Sequence, residues 1–420
     1  MVNWDALSPP RAGLRVVVVM PVRDLAARLP AALAALAVQT EFDGRRLDPA
    51  SFEIVVLANN CSDTSAACAR RFATLHPELC LHVVEVQLPH LLAHVGFARR
   101  KLMDEAARRL GVAGARRGVI ASTDGDTCVE PNWIAATLAE IDAGADAVGG
   151  RIRIDWEAPP PPALLRLMRA DAAHRLLRAR LRSLLDPEPA DPWPRHHQHF
   201  TASLAITQSA YLRVGGLPVV RRLEDEALVR VLRRADGRIR HSPAVRVRIP
   251  GRIDGIGVGP ARPLRQWAGA AGSDREPLVE HPQVLQASCA ARRAARALWR
   301  GSASDAPRPC ALAARELALA LGLEPRWLAY QFEVGRPFGQ LWDLIEDRWR
   351  ETVPACAEPI PIGQAVSDLR RRVRRCEALA SRQVFPPLPH QRERAGVRAD
   401  SLRLPALEKE QATLTLALSR

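Results

Sequence analysis

Apolar residues in the first 150 positions follow two rhythms that take turns. Short apolar runs rich in valine and isoleucine read as strands, and the unbroken RVVVVMPV has the composition of one covered on both faces. The runs are RVVVVMPV (15–22), FEIVVLAN (52–59), LHVVEV (81–86), GVIAST (118–123) and ADAVGGRIRI (145–154). Between them lie helical segments at 25–39, 64–75, 94–111 and 131–142. In 94–111, Ala98, Leu102, Ala106 and Leu110 recur at i, i+4 spacing, and Gly111 supplies a stop. Strands alternating with helices predict an α/β domain, with a parallel or mixed sheet and helices on both faces.

The rhythm breaks at EAPPPPA (157–163). A basic helical segment (163–185) and a second proline cluster (186–199) follow, and the sheet pattern returns with FTASLAIT (200–207). Gly215-Gly216 marks a turn, 223–237 a helix, and RIRHSPAVRVRIP (238–250) one or two late strands. Beyond about residue 262 the pattern is helical, most clearly at 312–323 and 338–353. The expected division is a sheet domain over 1–261 with an insertion at 157–199, a helical region over 262–384, and a polar tail over 385–420 with the composition of partial disorder.

Charge narrows the partners. The chain has 420 residues and a net charge of +14, nearly all from arginine, since lysine occurs only at Lys101 and Lys409. A compositional bias of the genome would give the same excess, so it is read either as a solvated basic surface or as attraction to anions. Nucleic acid is disfavoured as a partner. Aromatics are 5% of the chain, and basic runs such as RRRVRR (370–375) lack the interleaved aromatics of a stacking platform. The eight cysteines are scattered with no C-x-x-C pair, which suits free thiols in a reducing compartment. The N-terminal MVNWDALSPPRAGLR has no signal-peptide core and no apolar run approaches a membrane span, so a cytoplasmic location is expected.

Candidate chemistry begins at GVIASTDGDT (118–127), which puts Asp124 and Asp126 directly after a predicted strand. Open α/β sheets bind ligands at that edge. Gly125 between them is expected to let the chain turn sharply and a ligand approach closely. Two hard oxygen donors on a short turn suit Mg2+ or Mn2+ when a diphosphate supplies the remaining ligands. Such an ion would neutralise a departing diphosphate. Asp-Gly is also a common tight-turn pair, so the dipeptide alone decides nothing.

Three further stretches accompany it in order: VVVVMPVRD (16–24), IVVLANNCSDTSA (54–66) and VGGLPVVRRLEDEALVRVLRRADGRI (214–239). With them, residues 14–255 resemble a family 2-type glycosyltransferase of the GT-A fold, a Rossmann-like mixed sheet, with Asp24 where Asn is usual. The resemblance implies a nucleotide-sugar donor, UDP- or GDP-linked, a divalent cation, and transfer to a hydroxyl of an acceptor it does not identify. It implies Pro21 and Arg23 beside the base and ribose, Asn60 beside the base, and Gly96 with Arg99 or Arg100 near the nucleotide. Asp124, Gly125 and Asp126 would meet the diphosphate and metal, with His241 as the candidate third metal ligand. Asp225 would be the general base of an inverting reaction, and Glu224 would orient the acceptor or buttress the loop.

Read as residues alone, several of these have plainer uses. Ser62 or Asp63 would cap the helix from Thr64, Glu224 and Asp225 would favour a helix N-terminus, and His241 could be structural. His196, His197 and His199 leave three readings open: a metal, an acceptor contact, or no site role. The family's Gly-Ala is Thr201-Ala202 here. A retaining transferase stands as one alternative, and a degenerate, non-catalytic protein binding nucleotide sugars or anionic surfaces as another. The helix at 163–185 reads either as packing over the acceptor cleft or as peripheral contact with an anionic membrane.

Overall fold

The computed structural model describes residues 2–5, 7–156, 158–251, 276–302, 311–352 and 358–384. The expected polar tail, Cys310 and Cys356 lie outside them; the other six cysteines are free thiols. The first unit comprises Met1–Leu164 with Ala190–Ala268. Its elements are β1 (Val16–Val22), α1 (Leu29–Ala37), β2 (Phe52–Asn59), α2 (Ser65–Leu75), β3 (Leu81–Val86), α3 (Val95–Val112), β4 (Val119–Ser122), β5 (Cys128–Val129), α4 (Trp133–Asp142) and β6 (Ala147–Trp156). After α5 (Pro162–Leu185) come β7 (Leu204–Thr207), α6 (Gln208–Arg213), α7 (Glu224–Arg234) and β8 (Ile239–Gly251).

Among the described residues these strands form one eight-stranded sheet in the order β3-β2-β1-β4-β7-β6-β8-β5. It is mixed: β1 runs parallel to β2 and β4, while β7 is antiparallel to both β4 and β6. The unbroken apolar run of β1 is explained by burial on both faces. Val16, Val18, Met20 and Val22 pack with Leu29 and Leu33 of α1 and Trp133 of α4, while Val17 and Val19 pack with Leu102 and Met103 of α3 and Leu228 of α7. Each such side chain contributes about 1.5–3 kcal/mol by leaving water.

One boundary differs from the sequence reading and one open reading is decided. Helix α1 begins at Leu29, with Pro30 in its first turn, where a missing N–H costs no hydrogen bond. Of the one or two strands read in RIRHSPAVRVRIP, one forms: the register against β6 shifts between Gly150 and Arg151, and Pro243 falls in that irregularity, where no ladder donor is required.

The second unit comprises Leu165–Pro189 with Gly269–Arg420. It contains most of α5 together with β9 (Leu278–Val279), α8 (Pro282–Ser302), α9 (Ala311–Leu321), α10 (Pro325–Glu333), α11 (Phe338–Thr352), β10 (Ile360–Pro361) and α12 (Ile362–Val384). Leu181 and Leu185 of α5 pack with Leu285 and Cys289 of α8 and with Leu369 and Val373 of α12. No helix among the described residues is long and apolar enough to cross a membrane.

Candidate active site

From β1 the chain builds outward through β2 and β3, then returns to place β4 on the other flank of β1. Such a reversal is where open α/β sheets bind ligands, here outside the carboxyl ends of β1 and β4. At the β1 end, Pro21 is buried and Arg23 is exposed, donating from Nη1 to the Ala93 carbonyl at 3.2 Å. Asp24 adopts a left-handed conformation (φ 53°), tolerable because a short polar side chain bonds locally. Its Oδ1 accepts from Ser62 N at 2.7 Å, Ser62 Oγ at 3.0 Å and Asp63 N at 3.3 Å. Asp63 in turn accepts from Ser65 N at 2.9 Å and Ala26 N at 2.9 Å, joining the α2 entry to the loop after β1. Asn60 (φ 51°) donates to Leu88 O at 2.9 Å and Gln87 Oε1 at 3.2 Å and accepts from Leu88 N at 3.1 Å. Its amide therefore fastens the end of β2 to the segment after β3.

Arg99 connects the two acidic motifs. It lies on α3 with its side chain 2% exposed. Nη1 donates to Ser122 Oγ at 2.6 Å, Nη2 donates to Asp124 Oδ1 at 2.6 Å, and Nε stands 3.5 Å from Glu224 Oε1. A guanidinium can serve three partners because its donors form a planar fork. Glu224 is buried and also lies 3.5 Å from Thr201 Oγ1. Burial, and then the neighbouring charge of Asp124, push the Asp126 carboxyl up to about 6, with Arg28 opposing. Two carboxylates crowded in this way are a donor set that a hard divalent cation would relieve.

Asp225 follows Glu224 at the buried start of α7, and its Oδ1 accepts from Glu226 N at 2.9 Å. Burial pushes its carboxyl up, reinforced by Glu224 and Glu226 and opposed by that hydrogen bond and by His199. The residue before the pair, Leu223, is held at φ 59°, an uncommon conformation for a side chain of that size.

Beside this helix runs a chain of ring contacts. Asp191 Oδ2 lies 2.7 Å from His241 Nδ1, and His241 Nε2 lies 3.3 Å from His199 Nδ1. His199 Nε2 lies 3.1 Å from Glu226 Oε2. Burial would raise Asp191, yet the hydrogen bond from His241 and the charges of His241 and Arg195 hold it at about 2. Burial pushes His241 down to about 4, against its bond to Asp191. A neutral His241 thus donates from Nδ1 to an ionised Asp191, and its Nε2 accepts from His199. Both ring nitrogens of the candidate third metal ligand are engaged within the protein. Sequence reasoning did not single out Asp191, which sits among prolines with no motif to mark it.

The glycines act through packing. Gly125 is outside the left-handed region, and a Cβ there would fall 2.8 Å from Val22 Cγ2 and 3.0 Å from Leu25 Cδ1. The aspartate turn is thereby pressed onto the end of β1. A Cβ on Gly96 would fall 2.1 Å from the Val220 carbonyl oxygen, so Gly96 lets the segment before Glu224 lie against the start of α3. Arg100 fixes the same segment by donating to Gly215 O at 3.0 Å and Leu217 O at 2.9 Å. Gly96→Ala is expected to destabilise the fold by about 1–3 kcal/mol through overpacking, read as a lower urea midpoint at unchanged slope. An unmoved midpoint would show that this approach is unnecessary.

Residues 17–181 match the family described as Glycosyl transferase family 2. No curated protein matches the chain. Among solved structures, the mannosyltransferase PcManGT from Pyrobaculum calidifontis, in complex with GDP-Man and Mn2+, is similar at 18% identity and a TM-score of 0.40, over 92% of this chain and 91% of that one. TarS 1–349 from S. aureus in complex with UDP is similar at 13% identity and a TM-score of 0.39, over 81% and 92%. The family match runs from β1 through β4 and the aspartate turn into α5, and it marks residues 17–181 as the glycosyl transferase family 2 region of a glycosyltransferase with the mixed GT-A sheet.

Proposed function

We propose that this glycosyltransferase moves a sugar from a UDP- or GDP-linked donor to an acceptor hydroxyl, with a divalent cation at Asp124 and Asp126 and with inversion at the anomeric carbon. The observation that carries the reading is the placement of Arg99, 2.6 Å from Asp124 and 3.5 Å from Glu224. It supports one crevice in which the donor diphosphate and the proton acceptor flank the reacting carbon. A cation bound by the two aspartates would supply charge neutralisation at the diphosphate. The chain's own residues do the rest. Arg99 holds Asp124 in place, and Glu224, buried against Arg99, fixes the start of α7. Asp225 accepts the proton of the acceptor hydroxyl as that oxygen bonds to the anomeric carbon. The carbon–oxygen bond to the diphosphate breaks, and its electron pair leaves with the nucleotide. A buried carboxylate with a raised pKa is a stronger base than an exposed one, which suits proton abstraction near neutral pH.

Titration calorimetry of Mn2+ with UDP and GDP against the full chain and Asp126→Ala tests the donor half. The wild type is expected to bind one nucleotide only with Mn2+, and Asp126→Ala to bind it at least about tenfold more weakly, as loss of a charged ligand implies. Equal binding by both proteins would remove the metal role.

A further inference from the structure

We infer that the rim formed by residues 89–92 and 218–223 docks on an anionic membrane surface, so that a lipid-borne acceptor reaches Asp225 from the bilayer. The acceptor clause rests on the transferase reading; the docking surface does not. The two segments, PHLL and PVVRRL, contain no acidic residue. They converge at the start of α3, where Gly96 admits Val220, and His94 is depressed by burial and by the nearby charge of Arg221. Large apolar side chains face solvent there: Leu91 is 70% exposed, Leu92 37%, Val219 51% and Leu223 42%. Leu223 is exposed although its backbone is strained and Glu224, next to it, is buried. Arg221 and Arg222 are exposed and make no ion pair among the described residues. Arg23, also exposed, holds the Ala93 carbonyl beside this rim.

Exposed leucines set among unpaired arginines fit a surface that is apolar inside and anionic outside. Unpaired arginines retain their full attraction for lipid phosphates, which ion-paired arginines elsewhere do not. Helix α5, which the sequence offered for the same role, buries Leu181 and Leu185 in the second unit. The rim adjoins the N-terminus of α7, so a headgroup held by Arg221 and Arg222 would present its hydroxyl close to Asp225.

Flotation of the full chain with phosphatidylglycerol and with phosphatidylcholine vesicles at low salt tests this. Binding to the former alone is expected. Arg221→Glu/Arg222→Glu is expected to lower the partition at least about tenfold. Leu91→Ser/Val219→Ser is expected to lower it severalfold without changing its salt dependence. The control Arg71→Glu/Arg116→Glu makes the same charge change on α2 and in the loop entering β4, and should leave partition within about twofold. No binding to phosphatidylglycerol, or an equal loss in the control pair, would overturn the inference, the second by showing diffuse charge attraction. Nucleotide binding by calorimetry is read on the same proteins. Normal vesicle binding without nucleotide binding would sink the transferase reading and leave the docking surface standing.

Discussion

Asp225→Asn is expected to lower kcat by about 100- to 10,000-fold while leaving donor-nucleotide affinity within about twofold. The asparagine is nearly the same shape, and its Oδ1 can still accept from Glu226 N, so the start of α7 is kept. What is lost is the ability to hold a proton. Glu224 cannot substitute, because it faces Arg99 and Thr201. Two further measurements separate this role from a structural one. First, since burial raises the Asp225 pKa, the wild-type rate should fall with decreasing pH through a value above the ordinary carboxylate range. Second, the stability change should have a definite sign. A folded pKa above the unfolded one means that the folded state binds the proton more tightly, so stability falls as pH rises from the unfolded pKa through the folded one. Asp225→Asn removes that loss. It should be at least as stable as wild type at neutral pH, with the advantage vanishing in acid, as followed by urea unfolding at the two pH values. An unchanged kcat would take the base away from Asp225.

The sheet was legible because β1, β2 and β4 are buried on both faces and therefore read as unbroken apolar runs. Helix α3 was legible for the complementary reason, since its buried Ala98, Leu102, Ala106 and Leu110 share one stripe. The strand β5 and the pair β9 and β10 were not, because two-residue strands leave no period to detect. At the site, aspartates and glycines stood out as motifs, while what positions them did not. Nothing local in HVGFARRKL distinguishes Arg99 from Arg100. Only the turn of α3 decides that Arg99 points inward to Asp124 while Arg100 holds Gly215 and Leu217. The resemblance puts Asn60 beside the base and offers His241 as a third metal ligand, with a structural role left open. In the fold their polar atoms bond with Leu88 and Gln87, and with Asp191 and His199, contacts that no local pattern announces. Gly125 read as a turn former, but side chains 100 residues or more away in the sequence, at Val22 and Leu25, leave it no room for a Cβ.

Arg99→Met is expected to destabilise the protein by about 3 kcal/mol and to weaken Mn2+-dependent nucleotide binding at least tenfold. The stability figure is the lower end for breaking a buried ion pair, and the reason is asymmetry between the partners. The Asp124 side chain is 37% exposed and can be rehydrated, whereas Glu224 is 4% exposed and would be left as a buried carboxylate with a distant hydroxyl for company. Methionine fills much of the arginine stem's volume, so a cavity contributes little. If the charge on Glu224 is what makes the loss large, neutralising it should recover part of the loss. Arg99→Met/Glu224→Gln should therefore be more stable than Arg99→Met alone, with an interaction energy of about 1 kcal/mol or more in a double-mutant cycle. Arg99→Lys should fall between, because a single ammonium cannot hold Ser122, Asp124 and Glu224 together. Nucleotide binding should not recover with the second substitution, since Asp124 still lacks its support. Strictly additive stabilities, or nucleotide binding untouched by Arg99→Met, would mean that the guanidinium does not couple the aspartate turn to the start of α7, and the single crevice on which the transfer reaction was built would lose its basis.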